Sequence, residues 1–290
     1  MIKNDKTKGI IYIIISAFFF ALMGLFVKLS GDLPIIQKSF FRNAVACIFA
    51  FMLITKNKQW AVPKGKNIGF LLVRAVAGTG GILCNFYALS NMNLADASML
   101  NKLSPFFAVI FSLFILKEKA NLKQVLAVIM AFIGALFVMK PSFSFEAFPA
   151  FMGFLGGLGA GLAYACVRKL TQNGFKGNLI IFYFSLFSCV VTLPWLIFDF
   201  APMSAKQWIY LICAGLAASG GQYFITTAYS KAPAKEISIY DYSQIIFTTL
   251  LSLVVFGDLP DKWSFVGYAI IIFAALYNAW NSLRKQKNER

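Results

Sequence analysis

Reading the chain for hydrophobic runs gives ten of them. They fall at roughly 9–29, 35–54, 67–89, 94–116, 122–139, 150–170, 178–198, 206–229, 234–256 and 263–282, separated by short polar or basic breaks. Each approaches the ~20 residues that a helix needs to cross a hydrocarbon core of ~30 Å. The pattern predicts an all-α membrane protein of ten transmembrane helices. The clearest hydrophilic interruption is 55–66, where Thr55-Lys56-Asn57-Lys58 is followed by Pro63-Lys64-Gly65-Lys66. No stretch reads as a separate soluble domain or a disordered linker. The start of the chain, with Lys3, Lys6 and Lys8 ahead of an apolar run, resembles a signal peptide. No small-x-small cleavage site follows and the run reaches Lys28, so it is expected to be the first spanning helix.

Composition supports this map. Of 290 residues, 59% are apolar and 13% charged, with mean hydropathy +0.73. A soluble domain of this length needs more charged surface. A net charge of +16 would point to nucleic acid in a soluble protein. Here the placement of the charges gives a simpler account. With the N-terminus cytoplasmic, 19 of the 27 Lys and Arg residues fall in cytoplasmic segments. Five (Lys28, Lys38, Lys140, Lys206 and Lys262) fall at external ends or loops, and Arg42, Arg74 and Lys102 lie within helices. That asymmetry follows the positive-inside rule and places both termini in the cytoplasm. No nucleic-acid partner is expected.

An internal repeat appears at an offset of 140 residues. Gly80-Gly81 matches Gly220-Gly221, Ala88 and Ser90 match Ala228 and Ser230, and Ser98, Phe107, Ser112 and Leu113 match Ser238, Phe247, Ser252 and Leu253. Asp96 corresponds to Glu236 and Glu118 to Asp258; Val27-Lys28 against Val167-Arg168 is a weaker match. The chain therefore divides into 1–140 and 141–290, five helices each. An odd number of spans inverts the second unit relative to the first. Inverted repeats are a signature of secondary transporters, whose site lies near the bilayer midplane between the halves.

Charge inside a spanning helix is costly and needs a reason. Lys102 lies about 12 Å into the fourth run from its external end, and Asp241 about 10 Å into the ninth from its cytoplasmic end. Asp241 corresponds to Asn101 in the repeat, so the two charges occupy nearly equivalent places. They can face a central cavity, with Lys102 holding an anionic group and Asp241 a cationic one, or they can form a pair that staples the halves. Ser238, Asp241, Thr248 and Ser252 share one face of the ninth run; Ser98, Asn101 and Ser104 lie on the fourth, and Ser219, Gln222, Tyr223, Thr226 and Ser230 on the eighth. In lipid such groups face protein or water. Gln222 and Tyr242 are even between lining and packing. Arg42 and Arg74 can bind a carboxylate or phosphate through their forked donors, or snorkel to headgroups; Arg42 lies deeper and is the better candidate. Tyr87 and Tyr164 could line a cavity for a planar cargo. Asn93-x-x-Asp96 reads as a helix cap, preferred over proton coupling. Gly153-x3-Gly157-x3-Gly161 reads as close packing, and Pro105 as a bend just past Lys102.

Other chemistry is thin. The chain has no histidine, and its five cysteines sit in apolar runs without metal-ligand spacing, so no metal site, cofactor or catalytic Cys/His pair is expected. No Walker motif is present, which argues against direct ATP drive. An intramembrane enzyme lacks its catalytic set, and a channel lacks a ring of filter residues.

Taken together, Phe86-Tyr87-Ala88-Leu89, Leu94-Ala95-Asp96-Ala97, Leu103-Ser104-Pro105-Phe106-Phe107 and Lys117-Glu118 resemble the EamA repeat of the drug/metabolite transporter superfamily. So do Ala228 to Ala234, Tyr240-Asp241-Tyr242 and Phe256-Gly257-Asp258 in the second half, although Asp258 stands where Glu is usual. The resemblance implies uptake or export of small metabolites such as amino acids, S-adenosylmethionine, vitamins or nucleotide sugars. It also implies a central cavity lined by helices 1, 3, 4, 6, 8 and 9. The expected function is a secondary transporter in the bacterial plasma membrane, moving a small charged or zwitterionic metabolite by alternating access. Its partners are that metabolite, the lipid bilayer and, where transport is coupled, a proton or counter-substrate. A sensor or assembly factor that does not transport is the competing reading. Direction and oligomeric state are left open.

Overall fold

The computed structural model describes residues 2–115, 122–139, 147–231 and 238–288. It is built of helices: α1 (Ile2–Leu29), α2 (Ile35–Lys56), α3 (Lys66–Asn91), α4 (Leu94–Asn101), α5 (Ser104–Ile115), α6 (Leu122–Met139), α7 (Phe148–Gln172), α8 (Gly177–Phe198) and α9 (Ala205–Lys231). A 3₁₀ helix (Ser238–Tyr242), α10 (Ser243–Phe256) and α11 (Lys262–Asn288) complete it. Within the described residues, six helices are long and apolar enough to span a bilayer, and α6, α10 and α11 contain shorter apolar stretches.

The polarity of the bundle is that of a membrane protein. Large apolar side chains such as Ile48, Val76, Val190, Trp195 and Val254 face outward, whereas Lys38, Arg42, Asn43, Arg74, Lys102 and Asp241 are buried. Water would drive the opposite arrangement; lipid tolerates exposed Ile and Val and forces polar groups inward. The chain is an integral, multi-pass membrane protein.

Helix contacts follow the repeat. Corresponding elements are α1 with α7, α2 with α8, α3 with α9, α4–α5 with the 3₁₀ helix and α10, and α6 with α11. Exchanging the halves turns the α3–α7 contact into α9–α1, α5–α7 into α10–α1, and α2–α9 into α8–α3; α2–α8 and α6–α11 map onto themselves, and α4–α10 joins the fourth run to the ninth, its equivalent.

The fourth run, read in the sequence as one helix, is broken. Pro105 has no N–H to return to the carbonyl of Asn101, and its ring crowds that carbonyl. The chain instead tightens: Lys102 N bonds to Met99 O (3.0 Å) and Ser98 O (3.1 Å), and Phe106 N bonds to Leu103 O (3.0 Å). In the ninth run a tight 3₁₀ turn runs across Asp241, and the chain becomes α-helical at Ser243. The glycine stripe of α7 makes room for the break in the fourth run. A Cβ on Gly157 would lie 2.6 Å from Leu100 O, and one on Gly161 would lie 2.4 Å from Phe107 Cβ. The packing role read for those glycines is the one they fill.

Candidate binding cavity

The break in the fourth run leaves Lys102, 5% exposed, as the residue that ends α4. Its Nζ donates to Asp241 Oδ2 at 2.5 Å, which joins the break in the fourth run to the 3₁₀ turn of the ninth. Asp241 is 7% exposed and its Oδ1 has no hydrogen-bond partner. Because Phe106 N has turned to Leu103, the carbonyl of Lys102 is released from the helix ladder. It accepts the Tyr242 hydroxyl at 3.2 Å. Residues 102 and 242 are equivalents in the repeat, 140 positions apart, so the axis relating the halves passes between them.

The pair forms part of the wall of a cavity enclosing about 880 Å³, counting the part that opens to solvent. Lys102, Asp241, Asn101, Gln222, Arg42 and Tyr164 are brought together there, with Ser98 and Ser104. Tyr242 lies behind the wall, in the apolar cluster with Met99, Leu103 and Tyr268. Tyr87 faces away and packs edge-on against Phe148, with centroids 5.4 Å apart. Ser238 opens the 3₁₀ helix, and its side chain lies outside the described residues, as do Glu118 and Glu236.

Opposite the ion pair lies a group that the sequence pointed to only in part. Arg42 and Arg74 both line the cavity, 3% and 5% exposed. Arg42 donates from Nη1 to Asn43 Oδ1 at 2.6 Å, and Asn43 donates to Ser188 Oγ on α8 at 2.9 Å. Arg74 stacks on Phe184 of α8, its guanidinium carbon 4.1 Å from the ring centroid; that of Arg42 is 6.0 Å away. The Nε groups of both arginines, and Oδ1 of the lining Asn85, have no hydrogen-bond partner. Arg74 does not snorkel to a headgroup. The signal that could have placed it is Gly78, one turn further on, which leaves space where the guanidinium lies. A Cβ at that position would lie 2.1 Å from Arg74 Nη1. Arg42 and Phe184 also bring the second and seventh runs, α2 and α8, into the lining, beyond the six runs that the family resemblance implies.

Elsewhere, Asn93 caps α4 as read, accepting from Ala95 N at 2.9 Å. Asp96 does more than favour the helix dipole: Tyr268 on α11 donates to its Oδ1 at 2.6 Å. Lys28 and Lys38 hold the turn between α3 and α4, donating to Met92 O and Ser90 Oγ, both at 2.8 Å. Among the described residues, no group of His, Cys, Asp and Glu is arranged to hold a metal.

A duplicated helical bundle of reversed polarity, with a charged cavity between its halves, defines a class of membrane transporter. The chain belongs to the EamA-like transporter family, which matches it twice, over residues 7–140 and 147–280. It is 30% identical to the pseudopaline exporter CntI of Pseudomonas aeruginosa strain UCBPP-PA14, over 95% of this chain and 97% of that one. It is also 30% identical to human solute carrier family 35 member G1, over 96% of this chain and 79% of that protein. A solved crystal structure, 15% identical, shares the fold with a TM-score of 0.65 over 93% of this chain and 96% of its own. The chain is a transporter and not an enzyme.

Proposed function

We propose that this protein is a secondary transporter that carries a small charged or zwitterionic organic metabolite across the bacterial plasma membrane by alternating access. The observation that carries this reading is the buried Lys102–Asp241 pair. Each family unit supplies one member, Lys102 at the break in the fourth run and Asp241 in the 3₁₀ turn before α10, on the wall of a cavity lined from both units. Discontinuous helices meeting near the midplane are where secondary transporters bind cargo. Counted as spans, α4 with α5 and the 3₁₀ helix with α10 complete two units of five helices, residues 1–140 and 141–290. The second is inverted and both termini are cytoplasmic. The exchange symmetry of the helix contacts and the excess of basic residues on one side support that topology. The names of the relatives, an exporter and a solute carrier, support a carrier of small solutes.

The test is thermal stability of the purified protein in detergent against amino acids, S-adenosylmethionine, vitamins and nucleotides, with Lys102→Ala and Asp241→Asn alongside. A compound that stabilises the native chain and neither variant should then be carried into proteoliposomes. Stabilisation that survives both substitutions refutes a site at the pair. A ligand that binds at the pair but is never translocated refutes transport and leaves a sensor.

A further inference from the structure

Four charged side chains line the cavity: Arg42, Arg74, Lys102 and Asp241. Lys102 and Asp241 neutralise each other, so the lining carries two positive charges in excess, both on guanidinium groups. Among the described residues, no carboxylate other than Asp241 lines the cavity. Among the described residues, the groups that act on Arg42 are Arg74, Tyr164 and Cys189, and those that act on Arg74 are Tyr164 and Cys166. Two like charges buried without counter-charges are costly in a low-dielectric interior. Here the cost has been built in: α8 supplies the Phe184 face on which Arg74 lies, Asn43 orients Arg42, and Gly78 keeps the space for the Arg74 guanidinium clear. The contact with Phe184 holds the Arg74 guanidinium in the cavity wall, where its unpartnered Nε–H can pair with an oxyanion.

We propose, resting on the transporter reading above, that the cargo is an organic dianion, a dicarboxylate or a phosphate monoester, whose negative charges are held by Arg42 and Arg74. Tyr164 and Asn85, also in the wall, supply polar contacts to the rest of the molecule.

The experiment measures binding to the full-length protein in detergent, at matched ionic strength, by thermal shift and calorimetry. The probes are glutarate, its monoamide, its diamide and glycerol 3-phosphate. A dianion should bind more tightly than the monoamide, and the diamide should not bind; which dianion is preferred identifies the source of the charge. Arg74→Gln should weaken the preferred dianion by about 30-fold or more, as expected when one partner of a buried charge pair is removed. The same variant without ligand should be at least as stable as the native chain, because it removes an unanswered buried charge. A structural arginine would show the reverse. Gly78→Ala, which displaces the guanidinium without removing it, should weaken the dianion by less than Arg74→Gln does. Equal binding of glutarate and its diamide, or unchanged dianion affinity in Arg74→Gln, overturns the proposal. If dianions are silent while a zwitterion or cation binds and is lost in Lys102→Ala, this inference fails and the transporter reading stands.

Discussion

Breaking the Lys102–Asp241 pair from one side and from both sides should have very different effects. The contact is 2.5 Å long and its side chains are 7% and 10% exposed. Removing one partner of a buried pair leaves a charge unanswered and typically costs about 3–5 kcal/mol. The cavity reaches both groups, so hydration relieves part of that penalty, and the lower end, about 3 kcal/mol, is the better figure. At ~2–4 °C per kcal/mol for a chain of this size, Lys102→Met or Asp241→Leu alone should lower the melting temperature by about 6–12 °C. The double variant replaces both charges with apolar groups of similar volume and should recover to within about 1–2 kcal/mol of the native protein. A double-mutant cycle read by tryptophan fluorescence during unfolding in detergent should therefore give a coupling of at least ~2 kcal/mol. Additive losses would mean that the two groups are not paired, and the reasoning would fail. The same double variant also divides the roles. If it is folded but inactive in transport, the charges act on cargo; if it is folded and active, they are a staple.

Two further outcomes test the frame around the site. Tyr268→Phe removes the donor to Asp96 Oδ1, a charge-assisted bond between α11 and α4, and should destabilise the protein by about 1.5–3 kcal/mol in the same unfolding assay. Gly161→Val places new atoms against Phe107 Cβ and Ser104 O, where even one Cβ falls at 2.4 and 2.8 Å, so it should cost at least ~1–3 kcal/mol and broaden the elution profile in detergent.

The helix map was legible because burial in lipid writes itself into long apolar runs. The first three runs, predicted at 9–29, 35–54 and 67–89, match α1, α2 and α3 within a few residues apart from the longer start of α1. The buried pair of the candidate site, Lys102 and Asp241, was legible because ionisable residues deep in apolar segments are expensive. What the sequence hid depends on direction and on local backbone. Pro105 announced a disturbance, yet a proline can bend a helix or break it, and the outcome here rests on the room left by Gly157 and Gly161. The 3₁₀ turn at Ser238–Tyr242 contains neither Gly nor Pro to announce it. Tyr87 was a candidate from its residue type; the face it occupies is settled by packing on Phe148. Arg74 lies close to the basic 64–66 segment, which made snorkelling plausible. Only the pairing of Gly78 with Phe184 across two helices turns it inward.

The broken fourth run and the contact between repeat equivalents have a common explanation. A helix interrupted at membrane depth frees carbonyl groups, and these are tolerated only where protein or a wetted cavity receives them. The carbonyl freed at Lys102 is received by Tyr242, its own equivalent in the other half. A contact between equivalent residues can lie only on the axis that relates the halves. In a transporter working by alternating access, the axis is where the exchange of shapes between halves moves atoms least. The equivalent contacts α3–α7 and α1–α9 can trade geometries on either side of it. Charges held at the axis can then keep hold of cargo through the exchange. On the dianion proposal, the arginines, carried on α2 and α3 away from that point, would gain or lose their counter-charge as the helices around them move.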